Sequence, residues 1–469
     1  MVISMKYKTL VNKNHKIKDN YLDRITLVPT KNVLNDDILI EEETYNNYLK
    51  LREFIKNELN IELGIDTAYR SFDEQQAIYD HYLEVNGQEY CDNYVALTHY
   101  SEHHTGLAID VEAKINNEFV YSDDNFTLIE PVLKKIHPYL HKFGFILRYP
   151  KDKETITGYN YEPWHIRYVG IVPAKIIYEN SWTLEEYLTS FSCVLYINKP
   201  KDVTSFDIVH KISNIFGIKK VGHTGTLDPI ATGVMLVCIG KATKIVELLT
   251  SEDKEYIAGV RLGIKTDTLD ITGNVLEAIE VDNNLNIEET INNFKKTYFQ
   301  AVPIYSAVKV KGKKLYEYAR NNIQVELPKK EVTIKEIELL DRNKDTFTFR
   351  SLVTKGCYIR SLINDICAEL NTIGTMTSLT RTKQGLITIN QTNTIEEIIN
   401  NEYNYYKIEE VLDYPIIEVD NDLYKKISNG VKIPNKWNIT DKVIFVHDKQ
   451  LLGIYEVKES NLKVWKNFN

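Results

Sequence analysis

Cysteine is scarce: the 469 residues hold five, at positions 91, 193, 238, 357 and 367, with no C-x-x-C pair. An odd, scattered set argues against a disulfide framework and a zinc ribbon and suits a reducing compartment. Long apolar runs are also missing. The longest, Val234 to Ile239, is far short of the roughly 20 residues that cross a bilayer, so no membrane insertion is expected. The opening MVISMKYKTLVNKNHKIKDN meets lysine by its sixth residue and never builds the apolar stretch of a secretory signal, which predicts a cytoplasmic protein. No internal repeat or strongly low-complexity tract is visible.

What is present is a soluble, globular composition, 43% hydrophobic and 26% charged, in a chain long enough for two or three domains. The charge divides unevenly. Residues 1–190 carry 20 Lys+Arg against 30 Asp+Glu, while residues 191–469 carry 37 against 36. Eight of the eleven histidines also lie in the first part, so metal chemistry is sought there.

Tyr45, Tyr48, Leu49, Leu51, Phe54, Ile55 and Leu59 recur at helical spacing, and Ser71-Phe-Asp-Glu74 is a capping box opening a helix to about Leu83. A further helix is expected over 127–142, with short strands at Leu107–Val111 and His165–Val169, giving an α+β class with a small sheet. A boundary is placed near residue 191. Beyond it, Thr204-Ser-Phe-Asp207 caps another helix, strands are expected at 256–262 and 346–353, and a helix at about Tyr358–Leu370. The runs VIFVH and LLGIYEV mark a terminal β-rich unit at 413–469. The expected organisation is therefore 1–190, 191–412 and 413–469, a multi-domain α+β chain.

Ser101-Glu-His-His-Thr-Gly-Leu-Ala-Ile-Asp110 sets an imidazole and a carboxylate seven residues apart, with small residues between them. Glu162-Pro-Trp-His165 supplies a second imidazole and another carboxylate. Two His and one Asp leave the fourth tetrahedral position of Zn2+ to water, the arrangement of a catalytic zinc, and a non-ligand carboxylate such as Glu162 can take that water's proton. Taken alone, each histidine is more simply an ordinary loop or strand residue.

Together, however, these motifs resemble the S-x-H-x-x-G-x-A-x-D and E-x-W-H signatures of the VanY-type zinc D-alanyl-D-alanine carboxypeptidases, a likeness that runs over nearly all of residues 6–190. The resemblance implies His103, Asp110 and His165 as zinc ligands and Glu162 as general base. It implies Arg70 as the group that polarises the scissile carbonyl or holds a substrate carboxylate, and peptides ending in D-alanine as substrates. His99 and His104 fall outside the pattern.

Val221-Gly-His-Thr-Gly-Thr-Leu-Asp-Pro-Ile-Ala-Thr-Gly233 packs three glycines and a proline around one carboxylate, Asp228. Such a turn can hold an acid at a cleft surface, and the missing G-K-[ST] excludes a Walker loop. As bare pattern, an Asp before Pro is usually a turn-former.

The passage strongly resembles the catalytic motif of the tRNA pseudouridine synthase B family. Asn198-Lys-Pro200 with Thr204-Ser205, Asp253-Lys-Glu-Tyr256, Arg261 to Asp270, Pro303 to Lys309, Gly312 to Arg320 and Lys355-Gly-Cys-Tyr-Ile-Arg360 follow in that family's order. One departure is Asp202, which stands where the family has glycine.

Making pseudouridine means breaking the N-glycosidic bond, turning the uracil and rejoining its C5 to ribose, without metal, nucleotide or redox cofactor. The resemblance implies Asp228 as nucleophile or base, Arg360 as its cation and Tyr256 as the ring stacking on uracil. It also implies Lys199 beside the substrate, and His223 filling the stack vacated by the flipped base. Residues 301–360 hold 13 Lys+Arg against 7 Asp+Glu with Tyr305, Tyr316 and Tyr318 among them, which suits an RNA backbone. A solvated charged face would look the same.

The combined reading is a bifunctional enzyme that isomerises uridine 55 in the T arm of tRNA and carries a zinc carboxypeptidase-like domain. The alternative leaves the N-terminal domain a noncatalytic binding or scaffold module.

Overall fold

A computed structural model describes Tyr7, residues 9–282 and residues 284–468. It divides into two compact units, each mixed α+β. The first takes in residues to Phe191 with Lys211–Lys219 and Ile398–Glu402, and the second holds Ser192–His210, Lys220–Glu397 and Tyr403–Asn469.

In the first unit, helix Glu42–Leu59 buries Tyr48, Leu51 and Ile55 along one face, and Glu41 caps it by accepting the Thr44 N–H at 2.8 Å. The Ser71 capping box closes as expected: the Glu74 N–H donates to Ser71 Oγ at 3.2 Å and the Ser71 N–H to Glu74 Oε2 at 2.8 Å. It opens helix Phe72–Asn86. The helix expected over 127–142 is instead Ser122–Ile136, followed by a tighter 3-10 turn, His137–Phe143. Pro138 has no N–H to continue the α ladder.

Five antiparallel strands form the sheet of this unit. Leu63–Thr67, Ala108–Ile115, Glu162–Tyr168 and Phe145–Tyr149 lie side by side in that order, with Glu118–Val120 added to Ala108–Ile115. The register places Asp110 directly opposite His165. Ile109, Val111, Leu133, Phe145 and Ile166 fill the core. Gly106, at φ +67, lets the chain enter this sheet, since a Cβ there would meet Leu27 at 2.9 Å and the Glu41 backbone at 3.2 Å.

The second unit is built on a nine-stranded sheet. Its path runs Thr297–Ala301, Lys329–Arg342, Thr346–Val353, Lys254–Leu262, Gly374–Gln384, Thr232–Ile239, Cys193–Lys199, with Ile387–Thr388 and Val221–His223 attached beside it. Helix Ile359–Glu369 buries Leu362, Ile363 and Ile366. A parallel pairing in this sheet joins Thr232 and Gly233 to Thr380 and Arg381. It demands glycine, because a Cβ on Gly233 would lie 2.2 Å from the Arg381 carbonyl oxygen. A terminal five-stranded sheet, Ile416–Glu418 to Asn461–Asn467, contributes Ile444, Val446 and Ile454 to the same core as Val194, Tyr196 and Leu236. Among the described residues no helix is long and apolar enough to cross a membrane.

Candidate active sites

Cross-strand register brings the first site together. His103 sits in a short turn, Glu102–Thr105, whose start is fixed by the His103 N–H donating to Ser101 Oγ at 3.3 Å. Its Nδ1 is 2.6 Å from the Ala68 carbonyl oxygen, so Nδ1 carries the proton and Nε2 presents a lone pair. That lone pair faces Asp110 Oδ2 at 3.1 Å, and His165 Nδ1 lies 3.2 Å from Asp110 Oδ1. The three ligand atoms fall within 4.8 Å of one another.

With its ring neutral, His103 sets two acceptors face to face, a contact that a further proton or a bound cation would satisfy, and Asp110 Oδ1 is buried without a hydrogen-bond partner. This donor set fits Zn2+, with two imidazole nitrogens and one carboxylate. Glu162 Oε2 stands 3.5 Å from His165 Nδ1, beside the set.

These groups line a cavity of about 300 Å³ that also takes in Arg70 and the rings of Tyr82, Tyr90 and Tyr94. The Arg70 guanidinium donates to Gln75 at 2.8 Å, and its backbone N–H donates to the His103 carbonyl at 3.2 Å. His104 holds the same loop: Nδ1–H donates to the Arg70 carbonyl at 2.7 Å and Nε2 accepts the His99 N–H at 3.2 Å. Both its nitrogens are thus engaged by backbone, and neither His99 nor His104 joins the ligand set.

Sequence reasoning passed over Glu102, Arg148 and Arg167. Glu102 Oε1 meets Arg148 Nε at 2.8 Å and Arg167 Nη1 at 2.7 Å, with all three side chains fully buried. Burial alone raises the Glu102 carboxyl, but Arg148 and Arg167 outweigh it and hold the group well below the usual carboxylate range. The available signal was arginine in two strands that otherwise read as buried, FILRY and EPWHIRY.

The second site stands on the loop between strands Val221–His223 and Thr232–Ile239. The Ala231 N–H donates to the Asp228 carbonyl at 3.0 Å and closes the turn, while Ser205 Oγ accepts the Leu227 N–H at 2.9 Å. Arg360, in the first turn of helix Ile359–Glu369, meets both oxygens of Asp228, Nε to Oδ2 at 2.9 Å and Nη2 to Oδ1 at 3.1 Å. Asp228, Tyr256, Tyr305, Arg360 and Arg381 line one cavity of about 310 Å³.

The Tyr256 hydroxyl accepts from Arg381 Nε at 3.3 Å, and the same guanidinium donates to the carbonyls of Thr226 at 3.2 Å and Val234 at 3.1 Å. Arg381 is thereby a second buried support of the Asp228 loop. Sequence reasoning did not single it out, because an arginine in the run SLTRTKQ looks like a surface charge.

Two expected residues stand apart from the cavity wall. His223 is half-buried, its Nδ1 accepting the Gly225 N–H at 3.3 Å, and burial pulls its imidazole below the ordinary range. Lys199, expected beside the substrate, is fully buried and donates to the carbonyls of Val203 at 2.6 Å, Pro200 at 2.8 Å and Pro229 at 3.3 Å. It braces the Asp228 loop from behind and offers no cation to the cavity. Asp202 adopts φ +63, the left-handed conformation that glycine takes freely and that Asp tolerates at a cost of about 1–2 kcal/mol, so the turn survives the loss of glycine. The Asp202 N–H donates to the Pro229 carbonyl at 2.8 Å.

Comparison with known proteins finds similarity to two families, in two parts of the chain. Residues 37–171 match the model of the D-alanyl-D-alanine carboxypeptidase family, and residues 213–359 that of the TruB family pseudouridylate synthase N-terminal domain. The chain is 40% identical over 265 residues to tRNA pseudouridine synthase B of Caldanaerobacter subterraneus subsp. tengcongensis, covering 56% of this chain and 92% of that protein. Against the Oceanobacillus iheyensis protein of that name it is 42% identical over 283 residues, covering 57% and 93%. A structure of the vancomycin resistance D,D-pentapeptidase VanY in complex with Zn(II) aligns at 28% identity and TM-score 0.33, covering 39% of this chain and 99% of that one. Identity of 40% along 92% of such a protein shows that the chain belongs to the tRNA pseudouridine synthase B family, and its residues 37–171 are similar to the D-alanyl-D-alanine carboxypeptidase family.

Proposed function

We propose that residues 191–412 isomerise uridine 55 in the T loop of tRNA to pseudouridine, with 413–469 assisting RNA binding, and that residues 1–190 form a zinc-dependent D-Ala-D-Ala carboxypeptidase. The observation that carries the first part is the two-point clamp of Arg360 on Asp228 in a cavity shared with Tyr256. The clamp fixes the plane of the carboxylate, and the hydroxyl bond to Arg381 fixes the ring on which a flipped uracil stacks. Asp228 then acts as nucleophile or base while the glycosidic bond breaks and C5 joins the ribose. The C5 proton leaves and N1 gains one, so no co-substrate is consumed. Exposed Lys309, Lys311, Lys313, Lys329, Lys330 and Lys355 supply phosphate contacts. His223, at the head of the loop, props the vacated stack.

The second part rests on the convergence of His103, Asp110 and His165. His103, Asp110 and His165 would hold a zinc ion, which would supply a Lewis acid and lower the pKa of a water. Glu162 would serve as proton acceptor, and Arg70 would hold the peptide carbonyl or carboxylate. The test is paired: map pseudouridine in an unmodified tRNA transcript, and assay D-alanine release from D,D- and L,D-peptides by the zinc-loaded chain. Product at position 55 and released D-alanine support both parts. A zinc-loaded chain that releases none leaves the N-terminal unit as a noncatalytic binding module.

A further inference from the structure

Glu102 Oε1 is taken by Arg148 and Arg167, and its second oxygen points elsewhere. Oε2 lies 3.8 Å from His165 Nε2. Both atoms are buried from water, and neither has a hydrogen-bond partner. His165 turns its other nitrogen, Nδ1, toward Asp110 at 3.2 Å. A neutral imidazole that offers Nδ1 as a lone pair carries its proton on Nε2, and the carboxylate oxygen that neither arginine takes lies 3.8 Å from that nitrogen, within reach of a small side-chain adjustment. Arg148 is held in turn by Glu185, Nη2 to Oε1 at 2.6 Å and Nη1 to Oε2 at 3.0 Å. Two guanidiniums and two carboxylates cancel, so Glu102 is compensated and immobile before any metal arrives.

We propose that Glu102 is the positioning residue of the metal site: it accepts the Nε2 proton of His165 and so fixes the tautomer and ring orientation that present Nδ1 as a ligand. The inference rests on the zinc reading of His103, Asp110 and His165. A plainer account makes Glu102 no more than the counter-ion of two buried arginines. Glu185 separates the two accounts, because it is also a carboxylate on Arg148 but is not paired with His165.

The experiment measures zinc affinity of the full chain by competition with a chromophoric chelator, together with the visible spectrum of the Co(II)-loaded chain. The variants are Glu102→Gln, Glu102→Asp and Glu185→Gln. Glu102→Asp keeps a charge beside both arginines while withdrawing it from His165, so it guards against a Gln variant that fails to fold. Positioning predicts that both Glu102 variants weaken zinc about tenfold to a hundredfold and alter the Co(II) bands, while Glu185→Gln stays within about threefold of wild type. Wild-type affinity in Glu102→Asp, or an equal loss in Glu185→Gln, overturns the proposal. A wild-type chain that takes up no zinc overturns the metal reading itself and this inference with it.

Discussion

Arg360 grips Asp228 at two points and directs its remaining donors to the carbonyls of Thr268 at 2.9 Å and Tyr305 at 3.0 Å. The cation is therefore fixed by the fold, and the carboxylate is fixed by the cation. Lysine keeps the charge but cannot make the planar two-point contact. Arg360→Lys should lower kcat for pseudouridine formation about a hundredfold or more with KM for tRNA little changed, measured by initial rates on an unmodified transcript. A lysine variant with wild-type kcat would mean the geometry of the clamp is dispensable.

Metal content separates ligands from base in the first unit. His103→Ala and His165→Ala should each abolish zinc in elemental analysis of the purified chain, which otherwise holds about one per molecule. Glu162→Ala should keep the zinc and lose D-alanine release, since it removes a proton acceptor and none of the ligands. Full zinc in both histidine variants would place the metal elsewhere.

Lys199 and Lys254 give the second unit a pH signature. Burial pulls both ammonium groups down to about 8, against about 10.4 in an unfolded chain. Between those values the unfolded chain keeps protons that the folded unit has released, so stability against urea should rise with pH from about 8 toward 10. Lys254→Met should flatten that rise. A slope unchanged by the substitution, followed by urea unfolding at several pH values, would mean that Lys254 keeps its ordinary affinity for protons.

Phosphate recognition predicts a salt effect. Replacing Lys309, Lys311 and Lys313 by Gln should weaken tRNA binding and lower the slope of log affinity against log salt by about one for each phosphate no longer neutralised. An unchanged slope in filter binding would show that these three lysines do not meet the RNA backbone.

The cluster of His103, Asp110 and His165 was legible because metal chemistry restricts residue types, and the strand register lays Asp110 against His165. The capping boxes at Ser71 and Thr204 were equally plain, because a cap is a local bond between residues three apart. Glu102 and Arg381 were hidden, since a buried charge is recognisable only by its partners, and those partners are remote in sequence: Arg148 for Glu102, and Thr226, Val234 and Tyr256 for Arg381. Lys199 was misplaced for the same reason, because a lysine in a turn reads as a solvent-facing cation until the three carbonyls around its Nζ are located.

In the proposed function Asp228 performs the chemistry while RNA affinity comes from other groups. Asp228→Asn keeps size and hydrogen-bonding capacity and removes the charged oxygen. The direct measurement maps pseudouridine at position 55 of an unmodified tRNA transcript incubated with wild type and variant, with tRNA binding followed in parallel. The account predicts no detectable product from Asp228→Asn with affinity close to wild type. Product at a rate near wild type would contradict the catalytic assignment, and loss of binding together with activity would mean that Asp228 serves to hold the turn.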